Sequence, residues 1–356
     1  MKNKFLKLIL FLFIYINFLN LSNASEDFKF NVTEIEITEN GNLIVGSKNG
    51  KVETNDGYEI IAETFVYNKL TNVLNASGNV KLLDNSTNTI TIFSDKATYL
   101  KNEEIVFTEG KTSAIIEKKY NFDSSNVRYL TNNKELSSVE KSKIKDNDGN
   151  IYNLDEFFYQ VNDKLLKGKN VNIISKIDEK KIDNYFFSEG FFDFDKKSFL
   201  SKRTDIKVHK DIFGNDEQDP RLYGISSYGD EEKTVVKKGV FTSCKINENC
   251  TPWSIKSEEI THDKIKKNLI YKNAILKIYD VPILYFPKFF HPDPTVKRRT
   301  GFLQPQFNRS QILGSSVYVP YFKTLGIDED YTFKPTIFED KYILQNEFRK
   351  EGENSS

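Results

Sequence analysis

Apolar and polar residues alternate along most of the chain from residue 32 to about residue 194, and one pattern returns about every thirty residues. It consists of an apolar residue, a small or polar residue, an acid and, farther on, a tyrosine. The tyrosines recur at intervals of 32, 30 and 30 residues, at Tyr67, Tyr99, Tyr129 and Tyr159. Repetition at this period indicates structural units that stack on one another.

A glycine follows three of these tyrosines, and we interpret it as a turn: Gly78, Gly110 and Gly168. Alternation on both sides predicts two strands of ordinary length and two turns in each unit. Such units cannot bury their own apolar faces and therefore stack on their neighbours. The sequence predicts an all-β domain, an elongated slab of the β-jelly-roll or β-solenoid kind with two facing sheets.

Two facing sheets enclose an interior lined by alternate side chains. If the sheets close tightly, this interior is an ordinary core, and if they splay, it is an apolar trough for a lipid tail. The residues alone favour the core. The aromatic residues predicted to line the interior, and to contact lipid in a trough, are Phe65, Tyr67, Phe93, Tyr99, Phe107, Phe157 and Tyr159.

The alternation changes character after Gly301. Residues 317–322, 331–337 and 342–349 read as amphipathic strands of the length that membrane β-barrels use. About four strands can be drawn before Ser356, whereas a barrel in a bilayer must close and usually needs at least eight. The sequence therefore predicts an outer-membrane barrel whose remaining strands lie beyond this chain.

The first residues predict export. Lys2, Lys4 and Lys7 precede an apolar run over residues 8–19, and small residues follow up to Ala24. We interpret residues 1–24 as a signal peptide cleaved after Ala24. The alternative, a membrane anchor, is disfavoured because the run is shorter than the ~20 residues of a spanning helix. An exported protein meets an oxidising compartment, where Cys244 and Cys250 can form disulfides.

Composition agrees with the strand pattern. The chain has 29 Phe and 18 Tyr but one Met and one Trp, and aromatic residues suit a half-buried pleated surface. Lysine plus arginine and aspartate plus glutamate both number 51, so charge gives no reason to expect a nucleic-acid partner. With a mean hydropathy of −0.52, the mature chain contains no continuous apolar helix span.

Candidate catalytic chemistry is sparse. The three histidines, His209, His262 and His291, are far apart, and none of the common hydrolase, phosphate-binding or dinucleotide-binding motifs occurs. His262 is interpreted as lying at a strand end that enters a turn. The sequence therefore predicts no enzyme, no metal site and no cofactor.

Residues 241–305 are the most specific part of the chain. Six motifs follow one another over about 65 residues: F-T-S-C at 241–244, P-W-S-I at 252–255, E-I-T-H-D at 259–263, N-A at 273–274, V-P-I-x-Y-x-P at 281–287 and K-R-R-T-G-F-L-x-P at 297–305. In this order they resemble the LPS-assembly outer-membrane protein family (LptD/OstA/Imp). The prolines at 282, 287, 292 and 294 cannot sit in a central strand and predict a stiff, extended connector.

The resemblance implies an organisation and a function. Residues 25–290 would form a periplasmic β-jelly-roll (OstA-like) domain, and residues 291–356 a connector with the first barrel strands. The implied cargo is lipopolysaccharide, received from a periplasmic β-jelly-roll bridge protein and passed to a barrel that a lipoprotein plugs in the outer membrane. The resemblance thus favours the open trough over the packed core. The alternative functions are a structural periplasmic scaffold without lipid cargo and a soluble bridge component, which residues after Gly301 argue against.

Two smaller features are left with alternatives. Cys244 occupies the position of the family's F-T-S-C cysteine, which in some members bridges to barrel cysteines. A local disulfide with Cys250, six residues away, is the simpler interpretation. Lys297, Arg298 and Arg299 form a basic cluster that either contacts phosphates of the lipid or lies on a solvated rim.

Overall fold

In the computed structural model, the described residues are 27–85, 89–176, 182–208, 219–245, 252–292, 296, 298–303, 306–310 and 314–352. The predicted signal peptide, residues 1–24, lies outside them. The chain divides into two compact units, Met1–Ile174 and Ser175–Ser356. Helical turns among the described residues are limited to Glu39–Gly41 and Lys101–Glu103, so the predicted all-β class is confirmed. The described part contains no helix that is long and apolar enough to cross a membrane.

The first unit is built from fourteen strands that pair antiparallel with their neighbours in the chain or with strands two or three places along it. They are β1 (Phe28–Thr38), β2 (Leu43–Thr54), β3 (Tyr58–Ala62), β4 (Thr64–Asn68), β5 (Val73–Asp84), β6 (Ile90–Leu100), β7 (Ile105–Ile116), β8 (Tyr120–Ser125), β9 (Arg128–Leu130), β10 (Glu135–Ser138), β11 (Ser142–Lys145), β12 (Ile151–Leu154), β13 (Glu156–Gln160) and β14 (Leu165–Lys176).

The long strands of this unit bend in the middle and thereby contribute to two layers. One half of β2 pairs with β4 and the other half with β3. In the same way, β7 pairs with β9 and β8. We call the layer that contains β4, β9, β10 and β13 the tyrosine layer, because it carries the repeated tyrosines. The layer that contains β3, β8, β11 and β12 is the facing layer.

The two layers pack face to face. Phe28, which pairs into the facing layer, lies 4.7 Å from Tyr67 of the tyrosine layer, measured between ring centroids. Phe122 and Tyr159 meet at 5.0 Å in the same way, although they belong to different layers. Strands that change sheets at a bulge or bend are the usual way of forming such corners.

The bends explain why the glycine-turn prediction is wrong. Gly78 and Gly110 lie within β5 and β7, with φ of +81° and +75°, and the register of β5 against β6 shifts next to Gly78. Gly168 also lies inside a strand, β14. A left-handed residue inserted in a strand bends it without reversing the chain. Where Gly78 and Gly110 lie, the repeat therefore contains long bent strands, rather than two short strands joined at a glycine.

The second unit contains another ladder of antiparallel strands and a separate sheet. The ladder comprises β15 (Ile182–Asp193), β16 (Ser198–Lys207), β17 (Arg221–Gly229), β18 (Lys233–Lys237), β19 (Val240–Thr242), β20 (Trp253–Asp263), β21 (Asn268–Ile278) and β22 (Val281–Pro292). Among the described pairings, β22 bonds only to β21. The prolines of the predicted connector at 282, 287 and 292 thus lie in an edge strand, the place in a sheet that tolerates proline.

The separate sheet begins at Gly301, and its six strands form a meander of four antiparallel runs. The strands are β23 (Gly301–Phe302), β24 (Gln306–Ser310), β25 (Gly314–Tyr318), β26 (Tyr321–Thr324), β27 (Glu329–Phe338) and β28 (Tyr342–Lys350). This agrees with the four amphipathic strands expected from the sequence. The predicted domain boundary at residues 290 and 291 stays a prediction, although the change of sheet falls between Pro292 and Gly301.

Replacement of the two bend glycines by alanine separates backbone strain from steric clash. A Cβ added at Gly110 would have no heavy atom within 4 Å, so Gly110→Ala should cost about 1–2 kcal/mol through its positive φ alone. In Gly78→Ala, the new Cβ would also lie 2.8 Å from Cβ of Glu63, and the loss of unfolding free energy should be larger. Urea unfolding of both variants measures which loss of unfolding free energy is larger. An equal or smaller loss for Gly78→Ala would contradict this prediction.

Candidate functional site

The interior of the first unit is the candidate site, and five of the seven predicted lining residues point into it. Phe65 and Tyr159 are 0% exposed, and Tyr67, the least buried of the five, is 7% exposed. The exposed fractions of Tyr99 and Phe157 lie between these two values. The interior is thus lined by aromatic and aliphatic side chains that are in contact with one another. A role of these residues in lipid contact stays a prediction.

Phe93 and Phe107 do not line the interior, and the expectation that they do is wrong. Both are 37% exposed on the outer face. In β6, Ile92 and Tyr99 both point inward because a register shift between Ser94 and Lys96 changes the phase of alternation. Phe93 therefore points outward although it shares odd numbering with Tyr99. Phe107 lies between the buried residues Val106 and Thr108 and faces outward for the ordinary reason that successive side chains alternate.

The outer position of Phe107 places it at a shallow surface cavity of about 350 Å³. Its wall also includes Arg128 and Phe158, with Ser137 between them in adjacent strands. No pattern in the sequence indicates this cavity, because its residues come from separate strands that only the fold brings side by side.

Two of the repeated tyrosines direct their hydroxyl groups toward the turns that end the layers. Tyr67 donates to Oδ1 of Asn72 at 2.7 Å, and Tyr99 donates to Oδ2 of Asp56 at 2.9 Å. From the facing layer, Tyr58 donates to the carbonyl of Thr131 at 2.8 Å. Burial raises the pKa of Tyr58 to about 12 and that of Tyr99 still further, so both remain neutral phenols.

We use the name seam for a set of four polar contacts that join turns of the tyrosine layer to turns of the facing layer. Three are ion pairs between a lysine of the tyrosine layer and an acid of the facing layer. The Nζ–O distances are 2.8 Å for Lys101–Asp56, 2.8 Å for Lys134–Asp84 and 3.7 Å for Lys164–Glu117. The fourth is a hydrogen bond of 3.1 Å from Asn72 to Asp27.

The opposite side of the interior, where the strands bend, is held by hydroxyl groups. The Oγ1 atoms of Thr108 and Thr112 lie 2.7 Å apart across the bend of β7, and both residues are buried. Ser138 donates to the carbonyl of Ser125 at 2.7 Å. Oγ1 of Thr108 also accepts a hydrogen bond of 2.8 Å from the backbone N–H of Val127. The Thr108 and Ser138 hydroxyls thus satisfy backbone groups near the bends that the strand ladder leaves unpaired. The interior is therefore closed by bent backbone on one side and by the seam on the other.

The described residues of the motif-bearing segment, 241–245 and 252–292, form an aromatic cluster in the second unit. Tyr271 is fully buried and its hydroxyl lies 2.8 Å from Nε2 of His291. Phe241, Trp253 and Phe289 pack around these two rings. His291 thus has a packing role at the end of β22, while His262 lies near the end of β20, as expected, and His209 is outside the described residues.

The predicted disulfide cannot be placed, because Cys250 lies outside the described residues. Cys244 is half-buried, and its Sγ lies 3.6 Å from the carbonyl oxygen of Trp253. The backbone carbonyl of Cys244 accepts a hydrogen bond from Arg221. Pairing of Cys244 with Cys250 stays a prediction.

Two arginines of the basic cluster are bonded to protein acceptors. Arg298 pairs with Asp330 at 2.9 Å, and Arg299 donates to the side chain of Asn268. Lys297 lies outside the described residues. Phosphate contact by Lys297, Arg298 and Arg299 stays a prediction, and it would require the two guanidinium groups to share or exchange these partners. Within the described ranges no three His, Cys, Asp or Glu side chains gather as a potential metal site.

Comparison with known proteins identifies relatives of part of the chain. No family model matches the chain. The LPS-assembly protein LptD of Yersinia pestis bv. Antiqua (strain Antiqua) is 35% identical over 117 residues, which are 33% of this chain and 15% of that protein. LPS-assembly proteins LptD of Ectopseudomonas mendocina and Polaromonas sp. (strain JS666) are 29% and 28% identical over 136 and 165 residues, 37% and 45% of this chain.

The fold defines an all-β protein in which bent antiparallel strands pack as two layers and a four-run meander follows. Within the matched third of the chain, its relatives are the LPS-assembly proteins LptD, and the family resemblance inferred from the six motifs is confirmed. The matched regions span only 14–18% of the length of these relatives.

Protonation of Asp56 at low pH should weaken the seam. Burial pushes the pKa of this carboxyl upward, but hydrogen bonds from Lys101, Thr54 and Tyr99 outweigh burial and hold the pKa below its ordinary 3.8. Stabilisation by Asp56 is therefore complete above that value and is lost as pH falls through the lower folded-state pKa. We expect Asp56→Asn to flatten the decline of unfolding free energy below about pH 4.

Urea unfolding at a series of pH values measures that slope. Glu109→Gln is the matched control, because Glu109 is an exposed carboxylate that faces Lys96 on the outer surface. An unchanged slope in Asp56→Asn would contradict the assignment.

Loss of one seam partner should cost more than loss of both. The Asp84 side chain is 0% exposed, so Lys134→Met removes the lysine charge from a fully buried carboxylate. We expect a loss of about 3–5 kcal/mol of unfolding free energy. The double variant Asp84→Asn with Lys134→Met leaves no buried charge and should recover part of the loss. Chemical unfolding of the three chains tests this, and a double variant less stable than Lys134→Met would oppose it.

Proposed function

We propose that this chain takes part in lipopolysaccharide assembly at the outer membrane, with the interior of the first unit receiving acyl chains of the lipid. The observation that carries the proposal is the continuous apolar lining between the two layers, in a chain related to LPS-assembly proteins. Each methylene group moved from water into such an interior contributes about 0.8 kcal/mol. Binding of this kind needs no catalytic residue, and we propose no enzymatic activity.

The proposal places the first unit in the periplasm and the meander at the outer membrane. The partners would be lipopolysaccharide, a periplasmic β-jelly-roll bridge protein that delivers it and a lipoprotein that plugs the barrel. These partners follow from the family resemblance. Support from this chain is the separate sheet that begins at Gly301, whose strands expose apolar residues such as Leu344 and Phe348.

The closed interior favours a second candidate function, a periplasmic scaffold with a packed core and no lipid cargo. Rings from the two layers are in contact, and the lining residues are almost fully buried. Acyl chains can enter only if the layers move apart. The two candidate functions therefore differ in whether the interior ever meets lipid.

Site-specific photocrosslinking in cells separates these functions. We expect a photoreactive phenylalanine analogue at Tyr67 or Phe157, inside the first unit, to crosslink to lipopolysaccharide. The same analogue at Phe93 or Phe107, on the outer face, is the matched control and should crosslink much less.

Immunoblotting for lipopolysaccharide after irradiation gives the readout. Folding of each variant is checked by protease resistance. Absence of crosslinks at both interior positions in folded protein would favour the scaffold.

A further inference from the structure

The seam follows the same repeat as the tyrosines. Its acids, Asp56, Asp84 and Glu117, lie 28 and 33 residues apart, and its lysines, Lys101, Lys134 and Lys164, lie 33 and 30 residues apart. Successive lysines stand in turns two strands farther along the tyrosine layer. With neighbouring strands ~4.8 Å apart, this places the lysines in a row at intervals of roughly 10 Å along one side of the interior.

The two sides of the interior differ in what must break for the layers to part. On the bend side, the layers are continuous through the backbone of the long strands. On the seam side, the backbone hydrogen bonds of the turns stay within one layer, as in Lys101 N to Asn72 O and Glu117 N to Thr89 O. Opening at the seam would therefore break side-chain contacts and leave both backbone ladders intact.

We infer that the seam is the lateral entrance through which acyl chains of a phosphate-bearing lipid reach the interior, with its ion pairs acting as a latch. This inference rests on the proposed function and adds the route and the residues that control it. The interior lining reaches the seam directly, since Tyr99 contacts both the core and Asp56. An acyl chain that enters between the turns would meet apolar side chains within one residue of these ion pairs.

The charges of the seam indicate the class of headgroup. Parting the layers leaves the lysines on one lip and the carboxylates on the other. A lysine that loses a carboxylate in a partly buried place gains most from another anion, and a phosphate group is a strong acceptor for it. The row of lysines thus favours lipids whose acyl chains hang from a phosphorylated headgroup.

Covalent closure of the seam tests the route. In the full chain with Cys244 and Cys250 replaced by serine, Asp84→Cys with Lys134→Cys allows a short bismaleimide to tie the layers together after folding. Asp56→Cys with Lys101→Cys provides a second, independent tie. The control ties Lys96→Cys to Glu109→Cys, an exposed pair on neighbouring strands β6 and β7 of the outer face.

The readout is crosslinking of purified lipid A in detergent micelles to the photoreactive analogue at Phe157. We expect the untied chains and the outer-face control to be labelled and both seam-tied chains to fall to the level measured without irradiation. Labelling of the seam-tied chains at the untied level would overturn the inference while leaving the proposed function in place. Absence of labelling in every chain would overturn both.

Dephosphorylated lipid A tests the headgroup. We expect it to label the untied chain more weakly than lipid A, because the exposed lysines then lack an anion to replace the carboxylates. Equal labelling by the two lipids would overturn the assignment of the lysines to a phosphorylated headgroup.

Discussion

The mid-strand bend is the constraint on which the rest of the first unit depends. An antiparallel ladder alone would give one sheet with an exposed apolar face. Because β5, β6 and β7 each cross from one layer to the other, the same hydrogen-bonded ladder covers its own apolar face. The bulge that makes the bend also shifts the phase of alternation, so that Ile92 and Tyr99, seven residues apart, both point inward.

The bend also determines how the interior is closed. Backbone continuity and buried hydroxyl groups such as Thr108 and Thr112 close one side. On the other side every described contact between the layers uses at least one side chain: the acids of one layer meet the lysines of the other, and Tyr58 donates to the carbonyl of Thr131. The net stabilisation by a buried ion pair is small, but separating its partners is costly because it leaves charges that need new partners. The two sides are therefore unequal in the way they respond to a charged ligand.

This inequality makes the packed interior compatible with the function that we propose in lipid assembly. A closed core and a lipid-binding trough are alternatives only if the two layers stay fixed. The relatives are named for LPS assembly, and they match a third of the chain. Because the seam consists of side-chain contacts, one set of residues can form a packed core when the layers are together and an apolar lining when they part.

Much of this architecture could be predicted from local pattern: the all-β class, the thirty-residue period, the four runs after Gly301 and the family. These follow from alternation, from turn residues such as Asn55-Asp56-Gly57, and from the order of motifs. The inward-pointing side chains could not be predicted in full, because one bulged residue reverses the phase and places Phe93 outside. The seam could not be predicted either, since Asp84 and Lys134 are 50 residues apart in the sequence. They meet only because the layers fold onto each other, so that opposite charges pair across layers and not along the chain.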